Sequence, residues 1–528
     1  MGKNSTLKIN NLFDSYPKLW ALGSGILMGL APAPVNAWYL AWFVLAPLWL
    51  LIRDRQRSLK EIFLLGLLWG ASYHGTALFW LTGLHPMTWM GIPWIASLFI
   101  AVFCWLIVAS WGAALVGLWS LLFAYINQKL QTKTDQVSIS QILFNVLIGI
   151  TIWCCLETLW SYGSLWWSSL SFTQSPHNLI ILQLGQLSGF NTVTASLVAV
   201  NGVLAEVILL WQKRSQTKDK ITLVALPISL FIFLHLIGLY FYLIPINKNN
   251  IQEIKVGIIQ GNIPNEIKLY PKGLAKAIEG YTSGYRKLAS QGVDIVLTPE
   301  TALPFYWKSV IHNSSFYKAV LQEKVPAWVG AFGTVDKSFT NSLFTLAGDG
   351  ETLSRYDKYK LVPFGEYIPF EAVLGKVINR LSPLDTHLAA GSSQQTFDTP
   401  FGRAIVGICY ESAFAEHFRR QAKAGGQFII TASNNAHYSD TMPAQHHAQD
   451  VMRAIESDRW AARATNTGYS AIVDPRGHTI WISKINQYEV HAGTIYQRDH
   501  QTLYVKYGNW LTPLLLFGSI FLGLKKLL

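Results

Sequence analysis

Four side chains with complementary chemistry lie at or between apolar, β-like runs in the C-terminal half of the sequence. The run DIVLTPE ends at Glu300 and the run RAIVGIC ends at Cys409, while Lys358 and Glu366 lie between them in RYDKYKLVPFGEYIPF. A thiol nucleophile needs a group that accepts its proton and a positive group near the oxyanion that forms on the substrate. A glutamate and a lysine supply these functions, so the pattern predicts nucleophilic catalysis at Cys409. A nearby ammonium is also expected to favour the thiolate.

Cys409 is the one cysteine in the part of the sequence that reads as globular. The other three lie in apolar runs, where we interpret them as small buried residues: Cys104, Cys154 and Cys155. Their spacing predicts neither a disulfide framework nor a cysteine-based zinc site.

Residues 254–508 alternate between short β-rich runs and helical stretches, of which the clearest helices are 271–291 and 445–464. The predicted strands lie in IKVGIIQGNI, DIVLTPET, AWVGAFG, NSLFTLAG, RAIVGICYES, QFIITASNN and YSAIVDPRGHTIWIS. This alternation predicts a layered α/β or α+β domain. No phosphate loop, dinucleotide fingerprint or G-x-S-x-G elbow occurs in the sequence.

The rest of the sequence has the composition of a membrane protein. The whole chain is 51% hydrophobic and only 14% charged, against roughly 25% charged in soluble domains. A helix needs about 20 apolar residues to cross the hydrocarbon core. We predict eight spans, with these approximate bounds: 17–34, 37–52, 61–84, 92–126, 140–160, 180–211, 221–246 and 509–524. Glu206, inside the sixth span, is either a helix–helix hydrogen-bonding residue or a substrate-binding one.

The basic residues predict the orientation of these spans. The net charge of +12 is spread over short gaps and tails instead of one patch, which argues against nucleic acid as a partner. The gaps after the second, fourth and sixth spans are basic, whereas those after the first, third and fifth hold no Lys or Arg. Because positive residues stay in the cytoplasm, we expect both termini inside. The expected domains are a seven-helix membrane region (1–246), an external catalytic domain (247–508), and an eighth helix with a cytoplasmic tail (509–528).

The motifs and the span pattern together resemble the nitrilase superfamily, and most closely its apolipoprotein N-acyltransferase branch. The motifs are IIQGNIP, TPETALP, KYKLVPFGEYIP, GICYES and ARATNTG, so the resemblance covers essentially the whole chain. It implies eight membrane spans in the bacterial inner membrane. It also implies an αββα-sandwich domain, inserted between the last two spans on the periplasmic side.

The resemblance also implies the roles of six residues. Glu300 becomes the general base, Lys358 the oxyanion stabiliser together with a backbone N–H after Cys409, and Cys409 the nucleophile. Three further residues would line the pocket and hold the triad: Glu366, Tyr410 and Glu411. The implied reaction needs no metal or organic cofactor. It moves an acyl chain from a phospholipid, through a Cys409 thioester, to the amine of the N-terminal diacylglyceryl-cysteine of an apolipoprotein.

Two apolar, loop-like segments are consistent with a lipid substrate. Residues 302–310 and 368–381 would either dip into the bilayer beside the domain or pack in its core.

The sequence departs from the family pattern at two places where substrate loops are expected. The family usually reads SNDAWF where this chain has SNNAHY, with Asn435 and His437 as changes, and it often has Trp where Leu269 follows Lys268. These departures bear on acyl or partner preference. His437, His446 and His447 are not interpreted as a metal site, because no acid or cysteine completes a set.

Two other functions remain as alternatives. An amidase or nitrilase that uses water as acceptor would use the same triad but would not explain the preceding spans. A transporter with an extracytoplasmic domain is the second, although the predicted spans lack charge pairs and an inverted repeat.

Overall fold

The computed structural model describes residues 15–54, 56–130, 139–211, 217–246, 252–336, 338–363, 365–367, 388–436 and 438–527. The chain divides into two compact units. One contains Met1–Thr82, Val102–Ile244 and Asn509–Leu528, and the other contains Gly83–Ala101 and Pro245–Gly508. The predicted segment 368–381 and His437 lie outside the described residues.

The first unit is helical. Its α-helices are Pro17–Gly29, Ala46–Ile52, Leu59–Ala77, Trp94–Leu130 (which begins in the second unit), Ile139–Trp160, Leu179–Leu182, Gly185–Ser188, Phe190–Trp211, Thr217–Leu243 and Leu511–Leu527. Among the described residues, four helices are long and apolar enough to cross a membrane: Trp94–Leu130, Ile139–Trp160, Phe190–Trp211 and Leu223–Leu243. These four overlap four of the eight predicted spans. The sixth predicted span, 180–211, begins too early, because two short helices, Leu179–Leu182 and Gly185–Ser188, precede Phe190–Trp211. The full set of eight remains a prediction.

Glu206 is buried within this unit by a network of polar contacts. Its carboxylate pairs with Arg53 Nε at 2.7 Å and accepts hydrogen bonds from Trp49 Nε1 at 3.0 Å and Asn145 Nδ2 at 3.2 Å. A buried acid that is paired and hydrogen-bonded in this way ties together the segments that carry its partners. The contacts favour the helix-packing role over the substrate role for Glu206.

The second unit contains two six-stranded sheets, in the orders β12-β1-β2-β3-β4-β5 and β11-β10-β9-β8-β7-β6. In the first sheet the strands are β1 (Glu253–Gln260), β2 (Ile295–Leu297), β3 (Ala327–Val335), β4 (Ser338–Leu346), β5 (Thr352–Asp357) and β12 (Glu489–Tyr496). In the second they are β6 (Phe397–Thr399), β7 (Gly402–Ile408), β8 (Phe428–Ser433), β9 (Ala461–Thr465), β10 (Ala471–Val473) and β11 (Thr479–Ile482). Each sheet has three adjacent parallel strands, β1-β2-β3 and β7-β8-β9. The carboxyl ends of parallel strands meet at one edge, where side chains from separate parts of the sequence come together.

The helices of this unit are Asn265–Lys268, Pro271–Ser290, Trp307–Asn313, Ser315–Glu323, Ala415–Lys423, Thr441–Ser457 and Leu503–Tyr507. The predicted helix 271–291 is confirmed. The predicted helix 445–464 is wrong at its C-terminal end, because Asp458 adopts a left-handed conformation and residues 461–465 join the second sheet as β9.

One buried hydrophobic cluster takes side chains from both sheets, including Val256 of β1, Leu297 of β2, Val406 of β7 and Ile430 of β8. A second cluster lies between the first sheet and the helices that include Tyr285 and Phe316. Removing these apolar surfaces from water is the main force that fixes the strand ends in place.

Four side chains of segment 302–310 belong to the second cluster. Ala302, Leu303, Trp307 and Val310 are buried in it, and Trp307 stacks on Phe344 with ring centroids 4.2 Å apart. Core packing therefore accounts for these four side chains.

Candidate active site

An ammonium between two carboxylates forms the centre of the site. Lys358 Nζ lies 3.0 Å from Glu300 Oε1 and 2.9 Å from Glu366 Oε1. Lys358 is 1% exposed and Glu300 6% exposed, so the charges are little screened by water. The structure therefore brings together three of the residues that the sequence singled out.

Glu300 is placed by the end of β2. The strand stops at Leu297, and the Thr298 hydroxyl accepts a hydrogen bond from the Gly330 N–H of the neighbouring strand at 3.1 Å. A Cβ at Gly330 would lie 2.0 Å from the carbonyl oxygen of Pro299. Only glycine lets β3 approach this closely, so Gly330 fixes the turn that carries Glu300.

Lys358 follows directly after β5. Asn341 of β4 contacts both the Lys358 main chain and the two carboxylates that Lys358 binds. The Lys358 N–H donates to the Asn341 carbonyl at 2.8 Å. The Asn341 side-chain amide donates to Glu300 Oε1 at 2.6 Å and to Glu366 Oε1 at 3.4 Å. Sequence reasoning missed Asn341. In the sequence it stands only as a polar residue at the start of the run NSLFTLAG.

Cys409 stands at the end of β7, where the chain turns into a 3-10 helix, Cys409–Ala413. Its backbone is left-handed, with φ +53°, a conformation that is uncommon for residues other than glycine. The side chain is 6% exposed, and Sγ lies 3.9 Å from the Asn434 carbonyl oxygen.

Glu411 joins the end of β7 to the segment after β5. Its carboxylate, which is fully buried, accepts hydrogen bonds from the main-chain N–H groups of Tyr359, Lys360 and Ile408 at 2.7, 3.0 and 2.7 Å. The Tyr356 hydroxyl lies 2.9 and 3.0 Å from its two oxygens. Glu411 therefore positions the elements that carry the lysine and the cysteine.

We expect Glu411→Gln to lower acyl-transfer activity about 10- to 100-fold, as for other residues that position a site through a second layer of contacts. An amide has one acceptor oxygen where the carboxylate has two, so its NH2 group must face a main-chain donor. The variant should also unfold more easily by roughly 1–3 kcal/mol. Turnover and thermal unfolding of the detergent-solubilised protein measure both effects. Tyr356→Phe, which removes one donor and leaves the carboxylate, is the matched control and should lose less; equal activity for Glu411→Gln and wild type would contradict the role.

The environment separates the pKa values of the two glutamates. Burial raises the pKa of each, but Lys358, Lys268 and the Asn341 hydrogen bond together hold the pKa of Glu300 below its ordinary value. The pKa of Glu366 is raised by burial and by the Glu300 charge, against the opposing effect of Lys358. Glu300 is thus a carboxylate at neutral pH and can accept a proton. The pKa of Lys358 is raised well above its ordinary value by the charges of Glu300 and Glu366, although burial alone would lower it.

The Lys358 ammonium favours the Cys409 thiolate, as expected, but burial and the Glu300 carboxylate outweigh its effect. Burial and the Glu300 charge raise the pKa of the thiol to about 12, and Lys358 offsets only part of this rise. Cys409 is therefore a neutral thiol at physiological pH. Its proton has to leave during the attack on the substrate, which requires a base close to it.

Lys268 is a second buried cation in this site, and its role was not recognised from the sequence. Its Nζ donates to the main-chain carbonyl of Glu300 at 3.2 Å. Burial lowers its pKa to about 8, although the charge of Glu300 opposes that shift. The departure at Leu269 follows it directly, after the short helix Asn265–Lys268.

Two tyrosines complete the surroundings of the thiol. Tyr410, predicted to line the pocket, packs edge-on against Phe414 with ring centroids 5.1 Å apart, and burial raises its pKa. Burial also raises the pKa of Tyr438, whose phenol interacts with the charges of Lys358, Glu366 and Glu300. Tyr438 belongs to the SNNAHY segment, so this departure from the family pattern lies beside the reactive groups.

Within the described ranges, no cluster of three His, Cys, Asp or Glu side chains has the geometry to hold a metal ion. His446 and His447 lie on one helix but contact different groups, the Cys409 carbonyl and the Thr479 hydroxyl.

Comparison with known proteins identifies both parts of the chain. Residues 24–203 match the N-terminal domain of apolipoprotein N-acyltransferase, and residues 255–497 match the carbon-nitrogen hydrolase family. The chain is 56% identical to the apolipoprotein N-acyltransferase of a Nostoc species, over 94% of this chain and 96% of that protein. It is 49% identical to the enzyme of the same name from a Synechocystis species, over 93% and 97%. A solved structure that it resembles, Saccharomyces cerevisiae Nit3 of the nitrilase superfamily, is 19% identical with a TM-score of 0.35 and covers 46% of this chain and 90% of that one.

Proposed function

This chain belongs to the apolipoprotein N-acyltransferase family, and we propose that Cys409 is its nucleophile, Glu300 its general base and Lys358 its oxyanion stabiliser. It is a membrane-bound enzyme that acylates the N-terminal amine of apolipoproteins. The observation that carries the residue assignment is the buried Glu300–Lys358–Glu366 cluster, whose charges act directly on the Cys409 thiol.

In the first half-reaction we propose a phospholipid as acyl donor. Glu300 takes the proton of the Cys409 thiol as sulfur attacks the ester carbonyl carbon. The oxyanion that forms is stabilised by Lys358 and a main-chain N–H after Cys409. The ammonium has three hydrogens, and Glu300 and Glu366 account for two of them. The C–O bond then breaks, Glu300 returns the proton to the leaving alkoxide, and a lysophospholipid departs from the thioester.

In the second half-reaction the amine of the diacylglyceryl-cysteine attacks the thioester carbonyl. Glu300 accepts a proton from the attacking nitrogen, the C–S bond breaks, and the proton passes to the Cys409 sulfur. Ester and amine are thereby converted to alcohol and amide, and the enzyme is regenerated. The lowered pKa of Glu300 keeps it ready as a base for each step.

Purified protein in detergent, given phospholipid and a diacylated lipopeptide, tests this function. We expect the peptide to gain the mass of one acyl chain on its amine. Release of ammonia from small amides without acyl transfer would instead favour the amidase alternative, which the relatives do not support.

The finer architecture is part of the same proposal. We infer an αββα sandwich, supported by the cluster shared between the two sheets and by the helices packed against the first of them. We also infer eight spans and the domain division 1–246, 247–508 and 509–528. The alternation of basic and uncharged gaps supports an inner-membrane protein with cytoplasmic termini and a periplasmic catalytic domain. Protease protection of tagged termini in inverted membrane vesicles would test that orientation.

A further inference from the structure

The main chain of the nucleophile is held in an unfavourable conformation by a side chain outside the triad. Cys409 has φ +53°, and non-glycine residues remain in this region only where their surroundings impose it. Its carbonyl oxygen lies 2.8 Å from Nε2 of His446, on the helix Thr441–Ser457. A carbonyl can only accept, so Nε2 carries the hydrogen.

Asn435 contacts the other ring nitrogen of the same imidazole. Its side-chain amide nitrogen lies 3.1 Å from His446 Nδ1. Burial and the Arg463 charge lower the pKa of His446 to about 3, so the ring is neutral and Nδ1 has a lone pair. The amide therefore donates to Nδ1, which fixes the tautomer that places the hydrogen on Nε2.

The segment that carries Asn435 also contacts the thiol. The carbonyl of Asn434 faces Cys409 Sγ at 3.9 Å. The Asn434 side chain is itself fixed: its amide donates to Asn265 Oδ1 at 3.1 Å, and its oxygen accepts from Asn466 Nδ2 at 3.0 Å. Two adjacent residues after β8 thus act on the thiol and on the main chain of the same cysteine.

We propose that Asn435 and His446 are a positioning pair that holds the Cys409 carbonyl and thereby aims the nucleophile. The proposed pair acts through the Cys409 main chain. It rests on the proposed function only in that the aimed sulfur is the acyl carrier.

The side chain at position 435 decides whether the His446 imidazole is neutral. The groups that act on His446 are Arg463, Asp450 and Lys358, and those that act on the thiol are Glu300, Lys358 and Glu366. Asp450, one turn further along the helix, is already paired with Arg463 and accepts from Thr431 Oγ1 at 3.0 Å. An aspartate at 435 could only accept from Nδ1, so both ring nitrogens would carry hydrogens. The resulting imidazolium beside Cys409 would favour the thiolate.

Substitutions at His446 test the pair, with its neighbour as the matched control. His447 is also buried, on the same helix, and its Nε2 contacts Thr479 Oγ1 at 2.9 Å. We expect His446→Leu to slow formation of the Cys409 acyl adduct about 10- to 100-fold, with a fall in kcat and little change in KM. His446→Gln, whose amide N–H can donate to the same carbonyl, should recover most of that rate. His447→Gln should match wild type. Equal losses in His446→Leu and His447→Gln, or a wild-type rate in folded His446→Leu, would overturn the proposal.

A second measurement does not depend on acyl transfer. The pH profile of Cys409 alkylation by iodoacetamide, read by peptide mass mapping, should move to lower pH in Asn435→Asp and stay in place in His447→Gln. An unchanged profile in folded Asn435→Asp would show that residue 435 does not act on the thiol through His446. Because alkylation needs no lipid, this result stands even if wild-type protein forms no acyl adduct, in which case the proposed function alone fails.

Discussion

Replacing Cys409 by alanine should lower acyl transfer by about 10⁴-fold or more, as loss of a covalent nucleophile does in other hydrolytic triads. The methyl group has no atom that can form the thioester, so neither half-reaction can proceed through the proposed route. Cys409 is buried, and alanine is smaller and has to adopt the same backbone conformation. The fold should therefore survive, which thermal unfolding of the detergent-solubilised variant can check.

The acyl adduct is the sharper readout of the same change. Wild-type protein incubated with phospholipid alone should gain the mass of one acyl chain on the peptide that contains Cys409, and hydroxylamine should remove it as it does a thioester. Cys409→Ala should show no such gain. Cys104→Ala is the matched control, because Cys104 is a partly exposed thiol in a membrane helix, and it should keep both the adduct and the turnover. An adduct on another residue, or none on wild type, would contradict the mechanism.

The sequence was sufficient to predict the residues at strand ends, because a strand end is a local feature. Glu300, Lys358 and Cys409 each follow a run that the structure shows as β2, β5 or β7. β2 and β5 lie in the first sheet and β7 in the second, so the packing of both sheets around one shared core brings these ends together. The resemblance implied only that Glu300, Lys358 and Glu366 belong to one site, and the structure adds the contacts of Lys358 with both carboxylates.

Residues that act from the middle of an element could not be found in the same way. Asn341 lies inside β4 and His446 inside a helix, where a polar side chain usually marks a solvent-facing position. Their partners are 41 residues away, at Glu300, and 37 residues away, at Cys409. Only the tertiary structure reveals such contacts.

The protonation state of Cys409 could not be predicted from the sequence for a related reason. A lysine near a cysteine in the family pattern favours the thiolate, but burial and the Glu300 carboxylate oppose it more strongly. Burial is a property of the packed core and cannot be read from the spacing of charged residues. Helix length and apolarity in the structure identify four spans among the described residues, and the other four remain a prediction from the apolar runs of the sequence.

Glu300→Gln should lower the rate of acyl-adduct formation about 10²- to 10⁴-fold, the range expected for loss of a general base. The amide oxygen can still accept from Asn341 and Lys358, which now bind Glu300 Oε1 at 2.6 and 3.0 Å, so the site should keep its shape. Glu366→Gln is the matched control. It also removes one negative charge beside Lys358, but it leaves the proton acceptor in place, so we expect a smaller loss of about 10- to 100-fold.

The Glu300→Gln variant distinguishes two possible roles of Glu300, because the substitution also changes the pKa of the Cys409 thiol. The Glu300 charge raises the pKa of the Cys409 thiol, so its removal should lower that pKa and increase the thiolate fraction. If Glu300 acted on the thiol only through its charge, the variant would form the adduct faster than wild type. If Glu300 is the base, adduct formation slows even though the thiol is more acidic, and the residual rate rises with pH as the thiolate forms without help. In wild type, the rate of adduct formation should not fall as the pH is lowered through the ordinary carboxyl range. The pKa of Glu300 is lowered in the folded protein, so its base form persists until the pH falls through that lowered value.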